Sequence, residues 1–135
     1  MITAKQLTAE EKLRLICGKD CWHTEGLGGK LRELFVSDGP VGLRTVRVVE
    51  DSKEETIPAV GYPSVQILAN TWSRQTARET GECLADDCIE RGVDILLAPG
   101  VNIKRHPLNG RNFEYFSEDL YLAGTLAKEY IARDP

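Results

Sequence analysis

The stretch VDILLAPG, residues 93–100, runs apolar after Asp94 without alternation and stops at Pro99 and Gly100. Alternation marks a strand with one wet face, whereas a continuous run is the pattern of a strand covered on both faces, as in a parallel sheet. A parallel sheet needs long crossover segments, and the flanking residues supply them. Upstream, Ala77, Leu84, Ala85, Cys88 and Ile89 recur at helical spacing between a capping Ser73 and a terminating Gly92. Downstream, Leu122, Leu126 and Tyr130 share a helical face; Ser117 is the expected cap, with Glu118 and Asp119 in the first turn, where carboxylates suit the helix dipole. Nearer the start, Thr8-Ala9-Glu10-Glu11 has the form of a capping box, and Leu13, Ile16 and Cys17 continue a helix to about Gly18. Leu34-Phe35-Val36 predicts a short buried strand ending at Ser37-Asp38-Gly39-Pro40, and SVQILAN, residues 64–70, predicts another. The polar segment RVVEDSKEETI, residues 47–57, reads as an exposed excursion without chemistry. Helix, strand, loop, strand, helix, strand, loop, helix is the order of an α/β fold with a parallel sheet.

With 135 residues the chain is expected to form one domain. A composition 41% hydrophobic and 28% charged suits a soluble protein, and no apolar run approaches the ~20 residues of a membrane helix. A net charge of -4 argues against a nucleic-acid partner, which would call for a broad basic surface. Met1-Ile2-Thr3-Ala4-Lys5 lacks the form of a secretory signal, so a cytoplasmic location is expected. Cys17 with Cys21 and Cys83 with Cys88 lack CxxC spacing, no metal-ligand cluster stands out, and reduced, buried thiols are expected. GLGGK, residues 26–30, has no Ser or Thr after its lysine and no strand before it, so it reads as an ordinary flexible loop rather than a phosphate cradle.

In α/β folds chemistry gathers beyond the carboxyl ends of the strands, where Asp38 and the stretch NIKRHPLNGRNFEYFSEDLY, residues 102–121, both fall. Asp38 and Arg44, from one loop, can accept and donate hydrogen bonds to neighbouring hydroxyls of a polyol. The competing reading makes Asp38 a turn former bonded to its own backbone. Arg111 can hold a substrate hydroxyl, or it can join Arg105 and Glu114 in an ion-pair network that supports the loop. His106 reads as an ordinary loop residue, and Phe113, Tyr115 and Phe116 as core. Asp38, Asp94, Glu114, Glu118 and Asp119 are the carboxylates near strand ends or loops, and their spacing singles out no pair.

LTAEEKLRLICGKDCWHT, VSDGPVGLR, YPSVQILANTWS, GVDILLAPGVNIKRHPLNGRNFEYFSED and YLAGTLAKEYI together resemble, in order, the amino-terminal part of the family 3 glycoside hydrolases of β-glucosidase type. The resemblance covers nearly the whole chain. It implies the first part, about three strand-helix units, of a (β/α)8 TIM-type barrel over residues 1–135, since a whole barrel takes about 250 residues. It further implies that Asp38, Arg44 and Arg111 hold hydroxyls of a glucose-like sugar, while His106 and Glu114 are structural.

Full-length members of the family hydrolyse terminal β-linked glucose or similar sugars by a retaining double displacement that needs no metal or organic cofactor. The aspartate nucleophile, the glutamate acid/base and a Lys-His sugar-binding pair are expected beyond Pro135. The resemblance thus implies a glycoside hydrolase by descent whose 135-residue form is inactive alone. The alternatives are a noncatalytic carbohydrate-binding remnant and one part of a split enzyme. A partial barrel leaves strand edges and apolar faces open, so self-association or pairing with a complementing chain is expected.

Overall fold

Burial along the chain is concentrated in its second half, where three helices pack together beside a short parallel sheet. The computed structural model describes residues 2–48 and 54–132. Helix α1 spans Ala9–Cys17, strand β1 Val36–Asp38, β2 Val46–Val48, β3 Glu54–Thr56, helix α2 Val65–Thr71, α3 Arg74–Arg91, β4 Ile95–Leu97 and α4 Leu120–Ile131; short 3-10 turns occupy Ala4–Gln6 and Asn112–Glu114. β1 and β4 pair in parallel and β2 and β3 antiparallel. The fold is α/β with a small parallel sheet, as the sequence order implies.

The core joins Val65, Leu68 and Ala69 of α2, Ala77 and Leu84 of α3, and Ala123, Leu126, Ala127 and Tyr130 of α4 around Phe116. Burying side chains the size of Leu68, Leu84, Leu126 and Phe116 contributes about 1.5–3 kcal/mol each. Helices α3 and α4 approach until a Cβ on Gly81 would lie 2.0 Å from the Tyr130 carbonyl oxygen. A side chain at Gly81 would force the pair apart.

The predicted helix starts hold where the signal is local. The Thr8 hydroxyl accepts from the Glu11 amide and the Glu11 carboxylate from the Thr8 amide, at 3.1 and 2.8 Å. Ser73 caps α3, accepting from the Thr76 amide at 3.1 Å, and Gly92 closes it in the left-handed region. α4 opens on Asp119 rather than Ser117: the Asp119 carboxylate accepts from the Leu122 amide at 2.6 Å, while Ser117 Oγ accepts from the Asp119 amide.

Other expectations are corrected. Residues 64–70 are not a strand: Val65, Leu68 and Ala69 bury one face at helical spacing after Ser64, and a short apolar run does not distinguish the two states. β4 is not covered on both faces, since Ile95 and Leu97 are 40% and 58% exposed and only Leu96 packs on the core. The sheet has two strands, and beyond β4 no further strand pairs with it among the described residues. The segment read as an excursion includes the β2–β3 ribbon, with residues 49–53 outside the described part.

The thiols are free, but Cys17, Cys21 and Cys83 are exposed and Cys88 is half-buried, not buried as expected. Their elements explain it. α1 buries none of its residues, leaving Leu13 and Ile16 in water, and is tied to the next loop by ion pairs of Glu11 with Lys30 and Arg14 with Glu25. Cys83 precedes buried Leu84 on α3 and is itself exposed.

Candidate functional site

Parallel pairing of Val36 with Ile95, Ser37 with Leu96 and Asp38 with Leu97 sends the carboxyl ends of β1 and β4 to the same side. Beyond the first end lies the turn of residues 38–44, and beyond the second the long loop that carries Arg111. Asp38 is the last residue of β1 rather than the first residue past it.

The turn folds on itself through backbone bonds that its sequence permits. The Arg44 amide donates to the Asp38 carbonyl at 2.8 Å, and buried Ser37 Oγ donates to the same carbonyl at 2.9 Å, with the Arg44 carbonyl 3.2 Å away as a second acceptor. Gly39 and Gly42 hold φ of 144° and 130°, which side-chain-bearing residues rarely adopt. A Cβ at Gly42 would sit 2.2 Å from the Val60 carbonyl oxygen. From α4, Tyr130 Oη donates to the Pro40 carbonyl at 3.3 Å. Burial, with the nearby Cys88 adding to it, pushes that phenol up to about 12, so it stays a donor at neutral pH.

Both sequence readings of Asp38 have a physical basis here. Its Oδ1 accepts from the Gly39 amide at 3.0 Å, as a turn former does. Oδ2 has no hydrogen-bond partner among the described residues, which leaves an acceptor at the strand end. The exposed Arg44 guanidinium likewise has no ion pair among them.

Arg111 lies in a loop stitched by amides. Asn112 Nδ2 donates to the carbonyls of His106 and Pro107 at 2.9 and 3.3 Å, Asn109 Nδ2 donates to Asn112 Oδ1 at 3.1 Å, and Gln66 Nε2 of α2 donates to the Asn112 carbonyl at 2.8 Å. Arg111 Nε donates to Glu114 Oε1, so the ion pair weighed from the sequence exists, and Glu114 makes it with Arg111 rather than Arg105. That bond first, then the charges of Glu114, Tyr115 and Asp38, raise the guanidinium above its ordinary range. The Arg111 side chain remains 72% exposed, with donors left for a ligand.

The other residues settle into supporting places. His106 Nδ1 accepts from the Leu108 amide, Tyr115 and Phe116 are buried, and Phe113 is exposed against expectation. Asp94 is bound by Arg32 at 2.7 Å and by the Phe35 amide at 2.9 Å, and Asp119 caps α4. Sequence reasoning missed Ser37, Gln66 and the hydroxyl of Tyr130. Nothing in a serine before Asp-Gly signals that its hydroxyl closes the turn, nor in a tyrosine at apolar helical spacing that it bonds a carbonyl 90 residues away. No group of three or more His, Cys, Asp or Glu able to hold a metal occurs among the described residues, and no helix there is long and apolar enough to cross a membrane.

Residues 47–133 match the family model for the glycosyl hydrolase family 3 N terminal domain. Arg111 falls within the matched span, and Asp38 and Arg44 precede it. Thermostable beta-glucosidase B of Acetivibrio thermocellus is 46% identical over 134 residues, covering 94% of this chain and 17% of the relative. The exo-alpha-(1->6)-L-arabinopyranosidase of Bifidobacterium longum is 42% identical over 126 residues, covering 90% and 17%. Among solved structures, the beta-glucosidase of Kluyveromyces marxianus in complex with glucose superposes with a TM-score of 0.81 at 33% identity, over 93% of this chain and 15% of that one. The chain therefore spans about a sixth of the length of the relatives it matches.

Proposed function

The chain belongs to glycosyl hydrolase family 3, and on that premise we propose that it forms the first part of a β-glucosidase-type barrel and contributes part of a pocket for a terminal pyranose. Asp38 accepts hydrogen bonds from sugar hydroxyls, and Arg44 and Arg111 donate to them. The observation that carries this reading is that Asp38 and the loop of Arg111 both lie beyond the carboxyl ends of paired parallel strands, with one carboxylate oxygen and most of the Arg111 side chain unclaimed.

The relatives include a glucosidase and an L-arabinopyranosidase at similar identity. This suits a segment that grips hydroxyls common to several pyranoses, with the discriminating contacts made elsewhere. Retaining hydrolysis needs a nucleophile and a separate acid/base on opposite sides of the bond. Of the carboxylates weighed from the sequence, Asp94, Glu114 and Asp119 are committed to Arg32, Arg111 and the α4 cap. Asp38 serves as a substrate ligand in this reading, which leaves Glu118 without a second carboxylate to form the pair, so the 135-residue chain holds sugar without cleaving it.

The test is nitrophenol release from an aryl β-glucoside by the purified chain, beside a glucose titration followed by amide resonances. We expect no turnover and saturable shifts around Asp38, Arg44 and Arg111 that vanish in Asp38→Ala. Turnover abolished by Asp38→Ala would overturn the division between binding and catalysis. Silent amides at those residues would overturn the pocket.

A further inference from the structure

A cavity of about 440 Å³ lies between the carboxyl end of α2 and the Arg111 loop, a size ordinary for small-ligand sites. Asp38, Arg44 and Arg111 do not line it. Gln66, Asn70 and Trp72 form one side and Lys104, Phe116 and Glu118 the other. It opens where the loop after β4 meets α2, beyond the carboxyl ends of the strands, which is where α/β folds bind ligands.

Trp72 is the distinctive residue. It ends α2 in the left-handed conformation, φ 54°, which a glycine would adopt freely, and the residue is 75% exposed. Neither the backbone nor the core asks for an indole here. Its ring N–H and the Lys104 ammonium have no hydrogen-bond partner among the described residues. Gln66 Nε2 and Asn70 Nδ2 are engaged with the Asn112 and Gln66 carbonyls, which leaves both side-chain oxygens as acceptors. Partial burial lowers the Lys104 ammonium from its ordinary range, with Glu118 opposing that shift.

The cavity therefore combines donors, acceptors and an exposed aromatic face, with opposite charges on Lys104 and Glu118. A phosphate would meet the Glu118 carboxylate and a metal ion the Lys104 ammonium. A neutral ring with an apolar face and a rim of hydroxyls meets neither obstacle. We propose that this cavity binds a neutral pyranose unit, laid against Trp72 and held at its hydroxyls by Lys104 and Glu118. The choice of ligand class rests on the carbohydrate reading above, while the cavity and its donors do not.

Trp22 and Trp72 are the only tryptophans, so Trp22→Phe assigns the two indole N–H resonances of the labelled chain. Cellobiose is expected to shift the Trp72 indole signal saturably, with a dissociation constant on the order of 1 mM. Lys104→Met, whose backbone spectrum should stay dispersed, weakens that binding about tenfold, the effect of one charged hydrogen bond. Asp38→Ala leaves it unchanged. An unmoved Trp72 signal, an equal shift from glycerol, or loss of the shift in Asp38→Ala would each overturn the second site. A silent Trp72 beside glucose-shifted Asp38 amides would sink this site and leave the first standing. The reverse pattern would do the opposite.

Discussion

The turn that carries Asp38 and Arg44 depends on the absence of a side chain at Gly42. Gly42→Ala combines a disfavoured φ with a contact on the Val60 carbonyl, and should cost about 1–3 kcal/mol in urea unfolding while erasing glucose-induced shifts at Asp38. Tyr130→Phe removes a single bond to Pro40 and should cost about 0.5–1.5 kcal/mol, with a smaller loss of glucose binding. Asp94 provides a test by pH. Its bond to Arg32 first, and that to the Phe35 amide second, hold its carboxyl below the ordinary value of 3.8. A depressed folded value means that its contribution is complete above that ordinary value and is lost as pH falls through the folded one. The urea midpoint should therefore fall as the pH is lowered below the ordinary value of 3.8, and Asp94→Asn should flatten that part of the profile.

At the level of elements, α3 and α4 carry the stability on which the strand ends rest. Leu84→Ala should cost about 2–5 kcal/mol by urea unfolding, since Leu84 is fully buried between them. The starts of α1 and α3 were legible because a cap is a contract among four neighbouring residues, and Thr8 and Ser73 fulfil it within their own turn. α2 was not, because its apolar residues fit a strand as well as a helix until the core selects Val65, Leu68 and Ala69. The exposure of β4 was hidden for a related reason: an apolar run records what would cover a strand, not whether that cover is present. Of the site, Asp38 and Arg44 could be read from one local loop. The support from Tyr130 and the cavity beside Trp72 arise from packing between distant segments, and no spacing encodes them.

For the molecule as a whole, β4 has an unpaired edge among the described residues, and Ile95 and Leu97 lie in water beside it. Such an edge recruits further strands. Sedimentation should show concentration-dependent association, reduced by Leu97→Lys; a single monomeric species at every concentration would show that the edge is inert. The bond from Tyr130 to Pro40 bears on how the chain is made. It spans 90 residues, whereas the bonds within the turn close across a handful. On a ribosome adding about 5–20 residues per second, the turn can take shape on the order of 5–20 s before the helix that steadies it has been synthesised. A nascent chain thus holds the Asp38 turn in draft, and α4, translated later, fixes it.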